Sequence, residues 1–212
     1  MKKLLLLAIA ASVLANVPAV SSAANIKTVM NKNQNTMYQG IKMPEGVTVY
    51  NNNPKALFAA EGKKDVRTAL LDAGATSANV YTLNIKNGNE MNYAVYADVV
   101  LGRQLTGIMG ERRDVSTDSS TLGALVSSIN SGNNPVLGTF TVVNPLAKQG
   151  DAYEGTLKHR GVANNNSYEE VLHVMLFDDK YTGPKARFIA IDEESDAKIF
   201  PKVKELLQSK TK

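Results

Sequence analysis

Hydrophobic and polar residues alternate with a period of two over Tyr81, Leu83 and Ile85, and again over Met91, Tyr93, Val95, Ala97, Val99 and Leu101, on either side of Asn87-Gly88-Asn89. Successive side chains of a strand point to opposite faces, and Asn-Gly suits a tight left-handed turn, so the pattern predicts a β-hairpin. Val47-Thr48-Val49-Tyr50 reads as a strand before it. Asn51-Asn52-Asn53-Pro54 then reads as a turn in which Asn53 and Pro54 suit the N-cap and first position of a helix. Leu57, Phe58, Val66, Ala69, Leu70 and Ala73 keep helical spacing as far as Gly74, with Gly62 and Lys63-Lys64-Asp65 placed to split the segment in two.

A long connection runs from Gly102 to Ser120. After it, Leu122, Leu125, Val126 and Ile129 mark a short amphipathic helix that closes at Ser131-Gly132. Strands are predicted at Val136 to Val143, Tyr153 to His159, Glu170 to Phe177 and Arg187 to Ile191. They are separated by Lys148-Gln149-Gly150-Asp151, Asn164-Asn165-Asn166 and Thr182-Gly183-Pro184. The apolar stripe Ile199, Val203, Leu206 and Leu207 predicts a terminal helix. Pro201 falls inside it, which predicts an initial turn over Asp196 to Phe200 and a regular helix only from Pro201 onward.

The order strand, helix, hairpin, helix, four strands, helix lacks the βα alternation of a doubly wound sheet. It predicts an α+β fold, with a single mainly antiparallel sheet and about three helices packed on it. Helix followed by two strands occurs twice, over 54–101 and 121–160, which admits a weak duplication although no residue pattern matches between the two stretches.

The N-terminal end changes the picture of where the protein works. Met1-Lys2-Lys3 precedes the apolar run Leu4 to Ala15, then Asn16, Val17 and Pro18, with small residues at Ser21 and Ala23. That order predicts a signal peptide over 1–23, cleaved near Ala23-Ala24, and hence a secreted or periplasmic protein. The run is shorter than the roughly 20 apolar residues a membrane-spanning helix needs, so no transmembrane anchor is expected. Residues 24–45, rich in Asn, Gln, Lys and Thr at their start, read as a flexible lead-in, and 46–212 as one α+β domain.

The chain contains no cysteine, which excludes disulfides, thiol catalysis, cysteine metal sites and a cysteine-linked lipid anchor. With Lys2 and Lys3 removed, 22 basic residues face 20 acidic ones, a balance that gives no reason to expect a nucleic-acid partner.

Two histidines limit the acid–base chemistry. His173 lies in the apolar run Val171 to Phe177 and reads as a sheet histidine held by one hydrogen bond. His159, between Lys158 and Arg160, reads as a solvated strand end or part of an anion site, its charged form disfavoured by like charge. The acidic run Asp192-Glu193-Glu194-Ser195-Asp196 lacks the glycine and terminal glutamate of a calcium loop, and fits the capped, acidic N-terminus of the last helix better. Ser195 and Lys198 have serine-enzyme spacing without the companion motifs. Gly102 and Gly107 are spaced like a phosphate loop, but Ile108-Met109 replaces its Lys-Ser/Thr pair. Arg103, Arg112 and Arg113 remain as a candidate anion-binding set on that connection. The lysines Lys198, Lys202, Lys204, Lys210 and Lys212 read as solvated.

No cofactor and no metal site is indicated. The expectation is a non-catalytic binding or interaction module of the cell envelope, acting through sheet edges or the 102–120 connection on an unidentified envelope component or small ligand. The alternative is a small hydrolase using His159 or His173 with Asp178, Asp179 or Asp192. The two separate on whether either imidazole lies within hydrogen-bond reach of a carboxylate in a cleft.

Overall fold

The computed structural model of the protein describes residues 37–38, 41–52, 66–72, 75–101, 119–131, 140–163 and 166–208. A two-stranded ladder of β1 (Met37–Tyr38) and β2 (Ile41–Lys42) precedes the main sheet. That sheet contains β3 (Val47–Asn52), β4 (Ala75–Asn87), β5 (Glu90–Leu101), β6 (Phe140–Gln149), β7 (Ala152–Ala163), β8 (Asn166–Asp179) and β9 (Gly183–Asp192). All neighbouring pairs are antiparallel, in the order β3-β4-β5-β9-β8-β7-β6. The described helices are α1 (Val66–Asp72), α2 (Ser119–Asn130), α3 (Glu193–Val203) and the single turn α4 (Glu205–Gln208). The expected α+β class with one antiparallel sheet is what the chain forms.

The sheet is two meanders, β3-β4-β5 and β6-β7-β8-β9, closed against each other by the last strand. β9 pairs with β5 in the register Val95↔Ala190 and Asp98↔Arg187. Strand alternation gives the sheet two apolar faces. On the first, Val80, Val95, Ala97, Val99, Leu157, Leu172, Val174 and Phe188 pack with Leu70 of α1 and with Leu122, Leu125, Val126 and Ile129 of α2. On the second, Tyr81, Leu83, Ile85, Tyr96, Ile189 and Ile191 pack with Ile199 and Val203 of α3 and Leu206 and Leu207 of α4. Ile41 and Met43 join the second core, 3% and 4% exposed.

The predicted hairpin is present, though its turn is Gly88-Asn89 between paired Asn87 and Glu90, with Gly88 at φ +62°. β4 begins at Ala75, six residues before the alternation at Tyr81 becomes regular. The third predicted turn is also misplaced: β9 begins at Gly183, so Pro184 is a strand residue paired with Asp178.

β6 runs on to Gln149, past the predicted end at Val143, and it does so through Pro145. An edge strand tolerates a residue without a ladder N–H, and the register shifts between Val142 and Asn144 and between Asn144 and Ala147 take up the misfit. Two side-chain features stabilise that irregularity. The Asn130 amide donates from Nδ2 to the Leu146 carbonyl (2.9 Å) and accepts the Leu146 N–H (2.8 Å). Opposite, a Cβ on Gly155 would stand 2.8 Å from Leu146 backbone atoms, so the close approach needs glycine.

The last helix also departs from expectation. α3 is regular from Glu193, and Pro201 lies inside it rather than at its start. Proline there forfeits one backbone bond, which the burial of Ile199, Val203, Leu206 and Leu207 offsets. The break comes later, at Lys204, between α3 and α4. The acidic start is as predicted: the Asp192 carboxylate caps α3 by accepting the Glu194 N–H at 3.0 Å.

Candidate functional site

The sheet brings three polar groups into its interior, each from strands that pair. On the second face, Thr156 of β7, His173 of β8 and Ile189 of β9 stand side by side in register. α3 follows β9 directly and crosses this face, so its first turn meets β8. Asp196 and Phe200 are one helical turn apart and therefore share the face of α3 that contacts His173. His173 Nε2 lies 2.8 Å from Asp196 Oδ1, and its Nδ1 lies 3.5 Å from the Thr156 hydroxyl. Its ring stacks on Phe200 with centroids 3.4 Å apart and planes 7° from parallel. The His173 side chain is 11% exposed, whereas the Asp196 side chain is 22% exposed. A carboxylate on Nε2 favours the tautomer with its N–H there, and in that neutral tautomer Nδ1 is the acceptor that faces the Thr156 hydroxyl.

His159 occupies the opposite face. His159 of β7, Glu170 of β8 and Asp192 of β9 are directly cross-strand. His159 Nδ1 lies 3.4 Å from Glu170 Oε2, and both residues are buried, 6% and 2% exposed. Burial pushes the His159 pKa down to about 4. Burial, aided by the nearby Asp192 charge, holds Glu170 well above the usual carboxylate range. Burial thus disfavours charge on both groups, and with a pKa of about 4 His159 is a neutral imidazole near pH 7. The expected solvated strand end is corrected: Lys158 and Arg160 neighbour His159 in sequence but alternate to the other face. There Lys158 binds Glu193 at 2.6 Å and Glu169 at 3.0 Å, and Arg160 binds Glu169. The hydrogen bonds to Glu193 and Glu169 raise the Lys158 pKa.

The third group sets one acidic side chain against two basic ones. Lys185 Nζ lies 3.1 Å from Asp98, and Arg187 Nε lies 3.5 Å from the same carboxylate. All three are at most 6% exposed. Arg187 also donates from Nη1 to the Leu207 carbonyl at 2.8 Å and lies over the Phe177 ring at 4.7 Å, which ties α4 to the sheet.

Of Asp178, Asp179 and Asp192, the carboxylates expected to serve a histidine, Asp179 has another task. It closes the β8–β9 turn, accepting from the Tyr181 and Thr182 N–H groups at 3.0 and 2.9 Å, and those bonds help to lower its pKa. The carboxylates that meet the histidines are Asp196 and Glu170. Arg103, Arg112 and Arg113 lie outside the described residues, as do Lys210 and Lys212. Lys202 is not solvated as expected: its Nζ donates to the Lys86 carbonyl and to Asn87 Oδ1, both at 3.0 Å. It lines an open recess with Pro44, Glu45, Gly46, Lys86, Gly88, Pro201 and Glu205, away from both histidines. Among the described residues no group of three acidic or histidine side chains converges on a metal position, and no helix is long and apolar enough to cross a membrane.

One further feature of the second face bears on function. Cross-strand register places Thr141, Asn144 and Ala147 of β6 on the same face as Lys158, Thr156 and Glu154 of β7. The three β6 residues are exposed and the three β7 residues half-buried. This is an open polar shelf bordered by the start of α3, with Thr156 at the foot of that border.

No family model and no curated protein matches the chain. Among solved structures, the chain is similar to LpqN, a protein involved in cell envelope biogenesis of Mycobacterium tuberculosis. Identity is 8% and the TM-score 0.35, with 80% of this chain and 79% of that chain covered. A likeness at that level assigns no function.

Proposed function

We propose that the chain is an exported binding module of the cell envelope whose working surface is the polar shelf on β6 and β7. The order of charged, apolar and small residues over 1–23 supports export. The surface rests on one observation: α3 and α4 bury the β4, β5 and β9 part of the second face, whereas Thr141, Asn144 and Ala147 stay open to solvent. Threonine hydroxyls, an amide and the Lys158 and Glu154 charges suit a hydrogen-bonding ligand rather than a lipid chain. The test compares the parent chain with Asn144→Arg/Ala147→Arg as immobilised baits for solubilised envelope fractions. A component retained by the parent and lost by the variant is expected; equal retention by both overturns the shelf as the surface.

A small hydrolase is the second reading, and a specific observation favours it. His173 meets a carboxylate at 2.8 Å on one ring nitrogen and a hydroxyl on the other, at the border of the shelf. His159 does not share that role, because its partner Glu170 is buried and held well above the usual carboxylate range.

A further inference from the structure

We infer that Thr156 is the nucleophile of an acyl-transfer centre in which His173 is the general base and Asp196 a positioning residue. This rests on the second reading above and names its nucleophile and substrate class. A histidine that only pinned α3 to the sheet would need one ring nitrogen, the one that Asp196 occupies. The other faces the Thr156 hydroxyl, 3.5 Å away, a separation of the kind found in resting nucleophile–base pairs before substrate tightens them. Phe200, stacked on the ring, fixes its plane and covers one of its sides. Thr156 is half-buried and belongs to the open shelf, the side from which a substrate would approach.

The chemistry balances with water as the only co-reactant. As Thr156 Oγ1 bonds to the carbonyl carbon of an ester, its proton passes to His173 Nδ1. Asp196 stabilises the imidazolium so formed. Collapse of the tetrahedral adduct breaks the bond to the leaving alcohol, which takes that proton, and acyl-Thr156 remains. Water then attacks the acyl carbon, gives a proton to His173, and the carboxylic acid leaves as Thr156 regains its hydroxyl hydrogen. The exposed amide of Asn144, paired across the strands with Thr156, and the Thr141 hydroxyl favour an acyl ester of a polar alcohol.

The experiment uses p-nitrophenyl acetate for turnover and a fluorophosphonate, followed by peptide mass mapping, for the nucleophile. The expected result is a covalent adduct on the peptide containing Thr156. Thr156→Val, close in shape, should keep the thermal midpoint and lose turnover and labelling by a factor of about 100 or more, while Thr156→Ser retains both. Asp196→Asn should lower the rate by up to about 10⁴-fold and alter its pH profile, because the imidazole loses its fixed tautomer. Turnover that survives in Thr156→Val but is lost in His173→Gln overturns the nucleophile while the hydrolase reading stands. No turnover and no labelling in the parent chain overturns both.

Discussion

His159 and His173 sit on paired strands, each less than a tenth exposed and each beside a carboxylate, yet they face opposite sides of the sheet and obey different physics. The difference lies in the partner. Glu170 is sealed in the first face, where burial disfavours charge on both members of the pair. Asp196 comes from a helix laid over the second face, and its side chain keeps contact with water beside the imidazole. A histidine next to an acid is therefore not one kind of site. What the acid's other side touches decides whether the pair stores a proton, fastens an element or passes a proton on.

Asp98 with Lys185 and Arg187 sets the outer limit of that comparison, a buried carboxyl group facing two basic side chains. Asp98→Ala removes the acidic member of that buried cluster, and a loss of about 3–5 kcal/mol is expected from urea denaturation. Smaller but more revealing is the pH response of the buried His159–Glu170 pair. The folded His159 pKa of about 4 lies below its ordinary 6.5, so the native state binds fewer protons than the unfolded chain in between. Its contribution is complete above pH 6.5 and is lost as pH falls towards 4, at most about 3 kcal/mol, and His159→Gln should flatten that acid limb. Glu170 works in the other direction. Its folded pKa is raised, so stability falls as pH rises from the ordinary carboxylate range towards the raised value. Glu170→Gln keeps a neutral donor for His159 and should gain on the parent as pH increases, read as a widening gap in thermal midpoint.

His173→Ala removes a hydrogen bond and a ring stack, and about 1–3 kcal/mol is expected, together with faster amide exchange confined to α3. If exchange instead accelerates across the whole sheet, His173 is a core residue like His159 and the contrast fails. The smallest effect is expected at Lys158, whose ion pairs with Glu169 and Glu193 face solvent. Lys158→Met should leave the denaturation midpoint within error.

Much of the sheet was legible because its strands alternate strictly: Tyr81 to Leu101 announces a hairpin, and Asp192 announces a cap. Strand ends were less legible, since polar residues such as Asn79 continue a ladder whose hydrogen bonds belong to the backbone. β6 resisted because Pro145 argues against a strand, and the compensating partners, Asn130 and Gly155, are remote in sequence. The same distance hid the polar groups. Asp196 reaches His173 across 23 residues, and Asp98 reaches Lys185 across 87, through the insertion of β9 beside β5. Periodicity does show that Asp98, Lys185 and Arg187 occupy alternating positions beside apolar runs. A charged residue at such a position signals an unseen partner without naming it.

The Asn130 amide, with one donor and one acceptor turned to the Leu146 backbone, imitates one rung of a strand. Its consequence concerns the protein in a crowded compartment rather than its ligand. A rung already filled is denied to the strands of other molecules, and with Pro145 and two bulges beside it, the last strand of the sheet is a poor template for self-association. Asn130→Ala would uncover that rung, and the cost would appear in light scattering at high concentration before it appeared in any melting curve.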